Sequence, residues 1–139
     1  MKEKSEILKA FNKRCKNTLM ETLNIEYTDI GEDFLVAKMP VNHRVHQPYG
    51  LLHGGATVAL AESVGSAASA FFVDNQKFIV KGIEISANHL KSVTDGFVTA
   101  TAKIIHKGRT THLWEIRIVN EQEQLVSLCK LTNIILEKK

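Results

Sequence analysis

The sequence predicts an α+β fold in which a strongly curved antiparallel sheet wraps around one long central helix. Three observations carry this expectation. Residues 54–73, GGATVALAESVGSAASAFFV, are nearly uniform in small and apolar side chains, so a helix there must be covered on most of its circumference. Behind it, four strand-like stretches are separated by turns too short for anything but antiparallel neighbours. Ahead of it, residues 25–41 read as two strands around a turn containing Gly31.

The elements follow in order. Over residues 1–20, Ile7, Leu8, Phe11, Cys15, Leu19 and Met20 form an apolar stripe on a charged segment, which predicts an N-terminal helix. After the two strands, the loop NHRVHQPYGLLHGG holds Pro48 and three of the six histidines. The central helix is closed by the polar Asp74-Asn75-Gln76. Residues 78–93 alternate, with Ile83, Ile85, Ala87 and His89 on one face and Glu84, Ser86 and Asn88 on the other. Thr94-Asp95-Gly96, Lys107-Gly108-Arg109 and Glu121-Gln122-Glu123 turn the chain into strands near 97–106, 111–119 and 125–136. No repeat or linker interrupts the pattern, so residues 1–139 read as one domain.

Composition narrows the function classes. With 44% hydrophobic and 24% charged residues, the chain reads as soluble and globular. A net charge of only +3, on scattered Lys and Arg, argues against a nucleic-acid partner. Two cysteines, Cys15 and Cys129, make neither a disulfide framework nor a metal site, and reduced thiols point to the cytoplasm. The charged N-terminus has no signal-peptide core, and the apolar run is at the short limit for a membrane span and is broken by Glu62. His43, His46 and His53 have no local acidic or cysteine partner, so no metal is expected.

Glu62 does not fit its surroundings. It is the only formally charged side chain from Gln47 to Val73, with no Lys or Arg three or four residues away to pair with it. Ser66 and Ser69 lie on its helical face and predict a narrow polar stripe. At the helix start, His53-Gly54-Gly55 exposes free backbone N–H groups at the positive end of the helix dipole, able to hold a carbonyl oxygen as it becomes an oxyanion. Eight residues of helix separate Gly54 from Glu62 by about 12 Å, too far for both to act on one carbon. The two can meet only across a homodimer in which each site takes Gly54 from one subunit and Glu62 from the other. A carboxylate facing polarising N–H donors suits attack on an activated acyl carbon, with Glu62 as general base or as nucleophile.

The stretch HQPYGLLHGGATVALAESVGS, with NHL at 88–90 and HKGRTTHLWEI at 106–116, resembles the hot-dog-fold acyl-CoA thioesterases. Within them it is similar to the subclass with a catalytic Glu on the central helix, the 4-hydroxybenzoyl-CoA and 1,4-dihydroxy-2-naphthoyl-CoA hydrolases. The resemblance places the catalytic acid on Glu62 and the oxyanion-polarising N–H on Gly54. It puts the assisting loop glutamine on Gln47, the histidine before the glycines on His53, and the water-placing residue on Ser66. His89 matches a histidine near the bound thioester. The resemblance also implies a dimer, often paired into a dimer of dimers, and coenzyme A held as part of the substrate by basic groups, with no separate cofactor.

Lys91, Lys107 and Arg109, with the Gly55 backbone, are the candidates to hold the coenzyme A moiety. Ala59, Ala67 and Ala68 leave room for an acyl group, which the resemblance implies is aromatic. Three alternatives stand beside this reading: a medium-chain acyl-CoA or acyl-carrier-protein thioesterase, a hydratase or dehydratase of the same fold, and a non-catalytic acyl-CoA-binding module.

Overall fold

A computed structural model describes residues 3–139; residues 1 and 2 of the expected N-terminal helix lie outside the described residues. Helix α1 spans Lys4–Arg14, with Glu6 in its first turn and Lys13 and Arg14 in its last, each complementing the helix dipole. The expected continuous helix to residue 20 breaks after α1. Asn17 takes the left-handed conformation at φ 63°, which Asn tolerates better than most residues. A short helix α2, Leu19–Thr22, then restarts in a new direction.

The strands are β1 Glu26–Ile30, β2 Phe34–Pro40, β3 Phe78–His89, β4 Phe97–Lys107, β5 Thr111–Val119 and β6 Leu125–Glu137. All pair antiparallel in one sheet of order β1-β2-β4-β5-β6-β3, which leaves β1 and β3 as edges. Strands β2 and β5 bury alternate residues, so one face packs on a core of Leu35, Met39, Val98, Trp114, Ile116 and Leu131.

Across that face runs α3, Gly54–Phe72, the long helix expected over 54–73. It buries Thr57, Leu60, Ala61, Val64, Gly65, Ala68 and Ser69 against the sheet. The sheet covers only one side of it. Val58, Glu62, Ser63, Ser66 and Ala67 are half-buried on the other side, and Phe71 is 43% exposed.

Two expectations about side-chain faces change. Ser69 does not share a polar stripe with Glu62. Its Oγ is fully buried and accepts from Trp114 Nε1 at 2.7 Å and Asn133 Nδ2 at 2.8 Å, so its own proton goes to His112 Nδ1, also at 2.8 Å. The helix crosses the sheet obliquely, from Gly54 beside His89 on β3 to Ser69 under β5 and β6. On β3, Ile83 does not join Ile85 and Ala87 on the half-buried face. The register shifts between Gly82 and Glu84, and this bulge leaves Ile83 58% exposed.

Candidate active site

Glu62 lies midway along α3 and lines a cavity of about 530 Å³ between the helix, α1 and β3. Ser66, one turn on, lines the same cavity, with Phe11, Cys15, Met20, Tyr27 and Ala67. Of the alanines expected to make room, only Ala67 faces this space; Ala68 packs into the core. Gly82 lies directly beneath the Glu62 carboxylate, where a Cβ would strike Oε2.

The other groups lining this cavity do not compete as bases. Burial, then the Glu21 charge, pushes the Cys15 thiol up and keeps it protonated, hence poorly nucleophilic. The Tyr27 hydroxyl donates to the Ser63 carbonyl at 3.2 Å, and burial likewise raises it. Ser63 Oγ bonds back to the Ala59 carbonyl at 2.6 Å, whereas the Ser66 hydroxyl has no protein partner among the described residues. Glu62 is the only acidic side chain lining the cavity, and among the described residues no ion pair within 4.0 Å involves it.

The helix start opens on a second, separate cavity of about 270 Å³, lined by Gln47, Leu52, Gly54, Thr57, His89 and Lys91 among others. His53 caps α3, its Nδ1 accepting the Gly55 N–H at 2.8 Å. Gly55 therefore spends its amide on the cap. The Gly54 N–H has no acceptor among the described residues, as a first helical turn leaves it. The Gln47 side-chain oxygen accepts the Tyr49 N–H, which orients the loop and leaves the Gln47 amide NH₂ as a donor.

One subunit thus brings Gln47, Gly54, His89 and Lys91 together in one place and Glu62 with Ser66 in another. The two cavities share no lining residue. Lys107 and Arg109 line neither. They belong to the β4–β5 hairpin at the far end of α3, where Lys107 Nζ sits 4.5 Å above the Phe72 ring. His46 Nε2 donates to the Thr94 carbonyl at 2.8 Å, and His53 Nδ1 is taken by the cap. No cluster of three metal-ligating side chains occurs among the described residues. No helix among them is long and apolar enough to cross a membrane.

Sequence reasoning missed three contributors. Gly82 acquires its position only through the packing of β3 on α3, the wall formed by Phe11, Cys15 and Met20 only through the docking of α1 and α2, and Ser127 beside His89 only through strand register.

A six-stranded antiparallel sheet packed on one long helix, taken with the matches that follow, defines a hot-dog thioesterase. The thioesterase superfamily model matches residues 49–127, and the chain belongs to that family. It is 43% identical over 129 residues to the proofreading thioesterase EntH of Cronobacter turicensis, covering 93% of each chain. It is 41% identical over 129 residues to the 1,4-dihydroxy-2-naphthoyl-CoA hydrolase of Escherichia coli, covering 93% of this chain and 94% of that protein. A crystal structure of a mutant of thioesterase PA1618 from Pseudomonas aeruginosa matches with a TM-score of 0.93 at 42% identity, covering 94% of both chains. The protein is a thioester hydrolase.

Proposed function

We propose that the protein hydrolyses aromatic acyl-CoA thioesters as a homodimer with two sites, each joining the Gly54 end of one subunit to Glu62 of its partner. The observation that carries this reading is the division of the site residues between two cavities with no common wall in a single chain. Each half lacks what the other has: one holds the donors, the other the carboxylate. The half-exposed side of α3, rich in Ala and Ser, and the free β3 edge with exposed Ile79 and Ile83 offer the surface for a second copy.

In this reading the Gly54 N–H, at the positive end of α3, polarises the thioester carbonyl and stabilises its developing negative charge. Glu62 deprotonates a water held by Ser66, or attacks the carbonyl carbon itself and releases the thiol from an anhydride. Gln47 donates to the substrate from the loop, and His53 keeps the helix start open for it. The acyl group occupies the cavity beside Glu62, whose Phe11, Tyr27 and Phe78 walls suit a ring. The naphthoyl-CoA specificity named for the E. coli relative supports the same class. Lys91 lines the Gly54 cavity and in this reading meets a coenzyme A phosphate, whereas Lys107 and Arg109, at the far end of α3, meet one from another subunit.

The test mixes two inactive variants, Glu62→Gln and Gly54→Leu, the second placing a side chain against His89. Random reassociation in equal amounts forms about half mixed dimers with one working site each, or about one quarter of wild-type hydrolysis. Absence of recovery overturns the shared site. A panel of aryl- and alkyl-CoA thioesters and acyl-carrier-protein thioesters, read by thiol release, checks the aromatic preference.

A further inference from the structure

His89 ends β3 with its ring against the helix start: a Cβ built on Gly54 would lie 2.9 Å from Nε2 and 3.0 Å from Cδ2. Its other nitrogen, Nδ1, is 3.0 Å from the Oγ of Ser127, its register partner on β6. Ser127 is fully buried. Its hydroxyl has one proton, and the carbonyl oxygen of Asn88 lies 3.2 Å from Oγ. A carbonyl only accepts, so the Ser127 proton goes there. The remaining neighbour, Cys129 Sγ at 3.5 Å, is at most a weak S–H donor to the same oxygen. Ser127 Oγ is left to accept, and the only strong donor beside it is His89 Nδ1–H.

We propose that Ser127 is a positioning residue that holds His89 in its Nδ1–H tautomer, so that Nε2 faces the substrate as a hydrogen-bond acceptor. The proposal rests on the reading that the Gly54 cavity receives the thioester. An imidazole presenting a bare Nε2 gives nothing to the thioester oxygen, so carbonyl polarisation falls to the Gly54 N–H and the Gln47 amide. His89 instead receives an O–H or N–H, from the attacking water or from the substrate. Ser127 touches no substrate in this arrangement; it acts only through the ring it orients.

The experiment uses full-length protein labelled with 15N at histidine, and reads the protonation of each His89 nitrogen from long-range 1H–15N correlations at about pH 8, with the His89→Asn variant assigning the signals. Wild type is expected to show a protonated Nδ1 and a bare Nε2. Ser127→Ala is expected to lose that preference and to lower kcat roughly tenfold with little change in KM. Ser127→Thr, which keeps the hydroxyl, restores both. A protonated Nε2 in the wild-type spectrum overturns the proposal, whether or not Ser127→Ala folds. Unchanged tautomer and kcat in a folded Ser127→Ala do the same. The spectrum needs no turnover: a protein that hydrolyses no thioester but shows Nδ1–H sinks the functional reading and leaves the tautomer assignment standing.

Discussion

The carboxylate of Glu62 rests against the backbone of Gly82, where any side chain would occupy the space of Oε2. Gly54 stands in the same relation to the imidazole of His89. Helix α3 and strand β3 run past each other so that at two points a glycine on one faces a polar side chain on the other. The space each polar side chain occupies is therefore kept open by a missing Cβ, and for His89 the bond to Ser127 adds to it. Gly82 also opens the bulge that turns Ile83 outward, so one local irregularity serves both the carboxylate and the free edge.

Gly82→Ala should therefore act on chemistry before stability. The added methyl meets the flexible end of Glu62, which can swing aside at little cost to the fold. Displacing the carboxylate by about 1 Å should lower kcat by roughly 10- to 100-fold. Thiol-release kinetics beside an unchanged melting curve is the expected pair of results.

Glu62→Gln keeps shape and removes the carboxylate. Hydrolysis should fall by about 100-fold or more, while the variant still folds and still binds a non-hydrolysable thioester analogue in calorimetry. Full activity would remove Glu62 from the mechanism.

Replacing Ser69 tests the anchor at the other end of the helix. Ser69→Ala leaves the Trp114 N–H and His112 Nδ1 buried without partners, at about 1–3 kcal/mol each. Thermal unfolding should shift down by about 10 °C. Asn133, whose Oδ1 already lacks a partner among the described residues, keeps its bond to the Gly65 carbonyl.

Acid should weaken the same anchor. Burial, and then the charges of Lys107 and His106, hold the His112 pKa below its ordinary 6.5. As pH falls below about 6.5 the unfolded chain takes up this proton first, so the stability is complete above that point and is lost on the way down to the folded value. Protonation at Nδ1 would also remove the acceptor that Ser69 uses. Urea midpoints should drop between about pH 7.5 and about pH 5.5, and drop less in His112→Asn.

The proposed partner surface is open to a single charge. Ile83→Lys, on the outward side of the edge strand, should shift the mass seen by light scattering to that of one chain and abolish hydrolysis with it. A dimeric, active variant would place the interface elsewhere.

Much of this was legible in the residues. The helix stood out through its length and texture, the strands through their alternation and short turns, and Glu62 through being the only charge between Gln47 and Val73. What escaped detection depends on the third dimension. Ser69 and Ser66 stand within about 60° of each other on a helical wheel, but an oblique crossing sends one beneath Trp114 and the other into a cavity. Alternation along β3 cannot reveal a bulge, so Ile83 is misplaced by one face. The kink at Asn17 is written in a single backbone angle that periodicity does not sense.

The proposed division of each reaction centre between two subunits, beside an unpaired strand, has a consequence for how the protein comes into use. On that proposal a newly made chain is both sticky and inert, and pairing with its own kind ends both conditions at once. Dilution should then silence the enzyme before it unfolds, making specific activity a direct gauge of assembly.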